Sequence, residues 1–383
     1  MNFKLNKVTQ VATAGLLFGL ASFASHAEIT LIKQDPQPND PLSRLNFQIG
    51  GSIRPQWNME TGDKDKGSYK NNGFDGGSRF RFSADYYLFD DISWVSYYEL
   101  GVNFPALMGW DDHYADGAHN TTRRQLYTGL KSKTYGQLTY GQQNSVYYDV
   151  VGAKTDIWDY DMLGQAPGNG VNGDYDGSYR SRKMLKYKNT FGSADVYASY
   201  LFSDNDLLTG DGLRYKRKGG GSVGLDYHIT KDLTWGTAYN YTNAEMKNPG
   251  QHSSTNYDQN IVGTALSWKP GNWTASFGGG YYNNFLTTKK KTDNNYFAGD
   301  AYGLEYFLGY AFPINQYAVK TVQPYFMGDR MTYVTGRNYQ RIDNGLGLSV
   351  QMDYGFRVDY EHVFSSTTDD RGDMNLVRLR YDF

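Results

Sequence analysis

Hydrolytic chemistry needs a nucleophile, a histidine and an orienting group within hydrogen-bond reach. The histidines after residue 27 are His113, His119, His228, His252 and His362, scattered over loop-like stretches or alone on strand-like ones, with no GxSxG pattern nearby. Their spacing makes no metal set. YGQLTYG (135–141) lacks the GK[ST] ending of a phosphate loop. No cofactor is implied. What recurs instead is charge alternating with apolar residues. The chain stops on NLVRLRYDF (375–383), where Arg378, Arg380 and Asp382 interleave with Val377, Leu379, Tyr381 and Phe383. Arg79 and Arg81 in SRFRF, and Arg180 and Arg182 in RSR, have the same two-residue spacing, so each pair shares one face of a strand. The chemistry this supports is electrostatic: fixed cations on a wet face, backed by an apolar one.

The elements that position these charges follow from the rest of the chain. Lys4 and Lys7, then the apolar VATAGLLFGLASF, then Ser25-His26-Ala27 come in the order of a secretory signal peptide, so residues 1–27 are expected to be removed before Glu28. The chain has no cysteine, so an exported protein of this length must hold together by burial or closed hydrogen bonding. No later apolar run reaches the ~18 residues of a membrane helix. The 35 Tyr, 20 Phe and 44 Gly favour strands and turns, which makes the class all-β. A formal net charge of −2 gives no basic excess for nucleic acid.

From residue 46 onward, alternating segments are joined by connections that are short and long in turn. Sixteen strands are predicted near 46–58, 77–88, 93–104, 122–131, 135–146, 180–189, 193–202, 219–229, 232–243, 258–268, 272–282, 301–312, 318–330, 340–350, 353–364 and 373–383. An even strand number with long loops on one side matches a transmembrane antiparallel barrel, over residues 28–383. Alternation alone does not separate such a barrel from a soluble sandwich. The export signal, the terminal Phe383, and aromatics at strand ends such as Trp57, Tyr86, Tyr87, Trp94, Tyr360 and Tyr381 favour the membrane.

Several stretches resemble the general diffusion porins of Gram-negative bacteria: AEIT at 27–30, SRFRFSADYY, YYELGVNF, RQLYTGLKS with YGQLTYGQQNSVYYD, and DMLGQAPGNGVNGDYDGSYR. The resemblance covers Phe47 to about Tyr200 and the last two strands; between Leu201 and Arg341 only the rhythm matches. It implies a homotrimer of 16-stranded barrels in the outer membrane, surrounded by lipid and lipopolysaccharide. It also implies that the third loop, about 146–179, folds into the lumen to narrow a channel for small hydrophilic solutes and ions. By motif position Arg79, Arg124 and Arg180 match the family's wall arginines, and Glu99 matches a wall acid. The family's first-strand lysine falls on Ser52, and Arg54 two residues on stands in for it. Arg81 and Arg182 face inward by parity. The family's PEFGG is replaced by GQAPG (164–168), which puts Gln165 where a constriction glutamate is expected. The loop acid is Asp156, Asp159 or Asp161, depending on where the gap falls.

Two other readings use the same residues. A sugar-selective porin would stack sugars on Trp158, Tyr160, Tyr175 and Tyr179. An outer-membrane hydrolase or adhesin is the reading from another class, and no residue pattern names its site or partner.

Overall fold

The computed structural model describes residues 28–35, 37, 39–61, 72–108, 120–158, 164–208, 212–250, 252–288, 296–368 and 372–383. The expected signal peptide, Asp159, Tyr160, Asp161, His113 and His119 lie outside them. Sixteen antiparallel strands close into one barrel. Strand β1 runs Leu45–Ile53 and resumes at Pro55–Glu60. It is followed by β2 (Arg79–Phe89), β3 (Ile92–Val102), β4 (Thr121–Ser132), β5 (Gly136–Asn144), β6 (Arg180–Phe191), β7 (Ala194–Leu201) and β8 (Arg214–His228). Then come β9 (Leu233–Lys247), β10 (Thr255–Trp268), β11 (Trp273–Leu286), β12 (Gly299–Tyr310), β13 (Val319–Tyr333), β14 (Gln340–Met352), β15 (Phe356–Thr367) and β16 (Met374–Asp382). Each strand pairs with the next, and β16 returns to β1 through Ser52↔Asp382 and Val377↔Trp57. Closure satisfies the backbone ladder without leaving an open edge in lipid.

Side-chain alternation sorts the two faces. In β10, Val262, Leu266 and Trp268 are exposed, whereas Tyr257, Ile261 and Ala265 are buried. The exposed apolar series continues around the wall through Val223, Phe277, Leu304, Leu308, Phe326 and Leu346. A soluble sandwich would bury that face. Here the apolar side is the outer one, and the polar and charged side is turned in, which is the arrangement of a barrel in lipid. Strand β16 follows the rule: Leu379 is exposed, while Arg378 and Arg380 are buried on the other face. The terminal ring of Phe383 lies 5.7 Å from that of Phe80, on the outer side of β2.

Short turns occupy one end. Asp90 and Asp91 join β2 to β3, and Gly192 with Ser193 joins β6 to β7. Gly192 has φ +60° with open space where a Cβ would stand, so the turn itself demands the glycine. At the other end β8 and β9 run beyond their predicted limits of 219 and 243. Arg214 pairs with Lys247 and Lys216 with Glu245, beyond a bulge between Arg217 and Gly219 that offsets this extension from the rest of the ladder. Fifteen residues at about 3.4 Å each reach about 50 Å, more than a tilted crossing needs, so this end stands clear of lipid and loses the apolar alternation. Tyr215, Met246, Tyr257 and Phe297 pack on its inner side instead.

A further strand, Ile29–Ile32, precedes the barrel and pairs antiparallel with Phe47–Ile49 of β1. The backbones of Gly51 and Phe383 exchange hydrogen bonds, N–H of Gly51 to the Phe383 carbonyl at 2.7 Å and N–H of Phe383 to the Gly51 carbonyl at 3.1 Å.

Candidate functional site

Register brings the wall charges together. Arg81 of β2 lies opposite Glu99 of β3, and a bulge after Glu99 in the β3–β4 pairing shifts Arg124 toward it. The Glu99 carboxylate accepts from Arg124 Nε at 2.5 Å. It also lies 3.4 Å from Arg81 Nε and 3.8 Å from Arg79 Nη1. Tyr97 donates its hydroxyl to Glu99 Oε2 at 3.1 Å. One buried carboxylate is thus shared by three guanidiniums, and a positive excess remains. Arg180 adds to it, stacked 3.8 Å from the centre of the Tyr179 ring and hydrogen-bonded to the Tyr179 hydroxyl. Arg54, on the far side of Arg79, donates from Nε to Ser52 Oγ at 2.7 Å. Arg182 is drawn elsewhere: Lys183 takes φ +48°, and Arg182 turns to Asp204 at 3.3 Å and to the Tyr175 hydroxyl at 2.5 Å.

The loop between β5 and β6 packs against strands β9–β11. Ser145 Oγ accepts from the backbone N–H of Tyr148 at 3.0 Å and starts a short helical stretch, Tyr148–Gly152 and Ala153–Thr155. Val146, Tyr147, Val150 and Val151 are buried against Ala238, Ile261, Ala265 and Tyr282, which belong to the inward face of β9–β11. Lys154 Nζ pairs with Asp226 of β8 at 2.7 Å, and Lys186 of β6 with Asp149 at 2.7 Å. Asp156 accepts from the Tyr148 hydroxyl at 2.5 Å and is within electrostatic range of Arg378 on β16.

The descending limb lies on bare backbone. Cβ atoms at Gly224, Gly236, Gly263, Gly280 and Gly303 would each come within 3 Å of loop atoms. Tyr282 donates its hydroxyl to the Gly164 carbonyl at 2.6 Å, and the backbone N–H of Gln165 donates to Glu305 Oε1 at 3.1 Å. In the returning limb Asp176 is fully buried and accepts from both the N–H and the hydroxyl of Ser178, at 2.9 and 2.6 Å. Burial outweighs these bonds and pushes its carboxyl up to about 6.

Of the residues named from sequence, Arg79, Arg81, Glu99 and Arg124 form one group with Arg180 beside it. Gln165 departs from its expected place. It is fully buried on the wall, where the Tyr147 hydroxyl lies 3.4 Å from its Oε1, so its side chain does not project into water. The missing volume of the wall glycines draws the loop down at this point. Trp158 is buried among Phe307, Tyr325 and Met327, and Tyr175 and Tyr179 are covered by guanidiniums, so none offers a bare ring for a sugar. Glu305, Tyr282 and the Lys154–Asp226 pair were not foreseen. The glycines inside β8–β12 carried that signal, since glycine within a strand marks close backbone approach.

The sequence model of the Gram-negative porin family matches residues 12–321. The chain belongs to that family. This porin is an outer-membrane channel protein. Among solved structures it is similar to Salmonella typhi OmpF in complex with daunomycin, with TM-score 0.67 and 14% identity over 89% of this chain and 98% of the other. It is also similar to the outer-membrane channel DcaP of Acinetobacter baumannii, with TM-score 0.62 and 11% identity over 88% and 97%. A third is OmpT of Vibrio cholerae in its trimer form, with TM-score 0.61 and 12% identity over 88% and 99%. A search of curated proteins gives no match.

Proposed function

We propose that this porin passes small hydrophilic solutes and ions by passive diffusion and performs no chemical step. Its narrow point is the gap between Arg79, Arg81, Arg124 and Arg180 on the wall and the loop that carries Asp156. The observation that carries this reading is the sharing of Glu99 among three guanidiniums. Uncompensated cations opposite a loop acid set up a field across confined water. Exchanging the ordered water for an apolar solute costs energy, so polar solutes are favoured.

The protein acts as a homotrimer after loss of residues 1–27. Membership of the porin family and the trimer form of the similar Vibrio cholerae OmpT support that assembly. In a planar bilayer, purified protein is expected to give ohmic steps grouped in threes, and proteoliposome swelling rates should fall smoothly with solute size without saturating. A protein that folds and inserts without conductance would end the reading. A single-chain mass at every concentration in mild detergent would remove the trimer and leave a monomeric pore.

A further inference from the structure

Arg217 of β8 is fully buried. The bulge between Arg217 and Gly219 accounts for its direction. On one side of the bulge the odd-numbered Val223 and Tyr227 are exposed on the outer face, whereas on the other side Tyr215 and Arg217, also odd, are buried. One extra residue shifts the two-residue alternation, so a cation that an unbroken strand would present to the outside is turned into the barrel.

Inside, its guanidinium gathers backbone from three separate segments. Nε donates to the Phe202 carbonyl just past β7 at 2.9 Å, Nη1 to the Tyr175 carbonyl in the returning limb of the loop at 2.8 Å, and Nη2 to the Arg182 carbonyl of β6. The backbone N–H of Asp204 donates to the Arg217 carbonyl at 3.1 Å. The Asp204 carboxylate lies 3.9 Å from Arg217 Nη2, 3.3 Å from Arg182 Nε and 2.9 Å from Lys183 Nζ. A buried cation is tolerable when its charge is paired and its donors are satisfied, and both conditions hold here.

The two loop-side bonds bracket the segment 175–182, which carries Tyr179 and Arg180, the stacked pair beside the Glu99 group. We infer that Arg217 is a positioning residue for the pore: it pins both ends of this segment and so sets where Tyr179 and Arg180 stand in the channel. The inference rests on the diffusion reading and adds a residue that permeating solutes do not touch. A rigid planar fork can serve three carbonyls at once, whereas lysine is a point donor on a flexible stem. The middle of the segment has its own tie, the Ser145 N–H donating to the Tyr179 carbonyl at 2.6 Å. Loss of the fork therefore frees the ends without detaching the loop.

The test is Arg217→Lys, which keeps the charge and removes the fork. Single-channel current is expected to flicker between levels, and amide hydrogen exchange over residues 172–182 should rise about tenfold, the scale of one charged hydrogen bond, while β10–β12 stay protected. Arg214→Lys makes the same change at an exposed position of β8, 3.8 Å from Asp206, and should match wild type in both measurements. If Arg217→Lys fails to assemble, Arg217→Gln, with a planar amide, gives the same comparison. Quiet current with wild-type exchange, equal effects from the Arg214 and Arg217 variants, or faster exchange throughout the barrel would overturn the role. Failure of both Arg217 variants to assemble would assign the residue to folding instead and overturn it as well. Absence of channels in the wild type would strike the diffusion reading, and the exchange comparison would still decide whether Arg217 pins the segment.

Discussion

Tyr282 and Gly164 meet through one hydrogen bond, the phenol of β11 donating to the loop carbonyl at 2.6 Å. A methyl group at Gly303 would stand 1.6 Å from the same oxygen. Gly303→Ala is therefore expected to lift the loop from β12, break the bond to Tyr282 and raise single-channel conductance, with the closed barrel intact. Tyr282→Phe removes only the bond, a loss of about 1–3 kcal/mol in loop attachment, and should show as added current noise rather than a new conductance level. Matching traces for wild type and Gly303→Ala would mean that the loop is held elsewhere.

The buried position of Gln165 reverses a simple charge argument. A carboxylate there would be expected to strengthen cation selectivity if it faced water. In the fold it stands beside Glu305, which already accepts the Gln165 backbone N–H. Gln165→Glu should therefore introduce a buried, unpaired charge costing several kcal/mol and loosen the loop, seen as open-channel flicker at neutral pH that subsides in acid. A quiet channel with a clean shift of reversal potential toward cations would show that the side chain reaches the lumen after all.

Removing three wall charges tests the constriction directly. Arg79, Arg124 and Arg180 together replaced by serine leave Arg81 alone with Glu99, so the local balance drops by three positive charges. Reversal potentials in a KCl gradient should move toward cations, most strongly below 0.1 M salt, where the screening length is about 10 Å or more. Thermal unfolding of the barrel should change little. No shift at low salt would place these arginines away from the narrow point.

Acid should tighten the returning limb of the loop. The Asp176 carboxyl is raised from its ordinary 3.8 to about 6, so the folded loop holds its proton more readily than the unfolded chain does. Stability contributed here is then highest below pH 4 and declines as pH rises through 6, by about 3 kcal/mol for a shift of about two units. Hydrogen exchange at residues 172–178 should accelerate between pH 4 and 7 beyond the intrinsic rate. Asp176→Asn should flatten that dependence, and an unchanged slope would remove Asp176 as its source.

Sixteen strands were legible because lipid and water impose opposite demands on alternate residues. Val377 and Leu379 against Arg378 and Arg380 carry that signal within four positions. The extensions of β8 and β9 were not, because above the membrane neither face must be apolar and RYKRK reads as loop. Arg79, Arg81 and Glu99 were legible through two-residue spacing and motif position. The place of Gln165 was not, since it depends on glycines about 60 to 140 residues further along the chain that leave room for it.

The backbone exchange between Gly51 and Phe383 joins positions 332 residues apart. Almost the whole chain must exist before that contact forms, and every other strand lies inside the ring it completes. Contacts so distant in sequence close slowly, and in the meantime the first strand's edge is covered only over Phe47–Ile49, by Ile29–Ile32. Closure thus waits on β16: without that strand the barrel would carry fifteen paired strands with an unclosed edge on each side, and would persist as a substrate for proteases or as a template for aggregation rather than as a smaller pore.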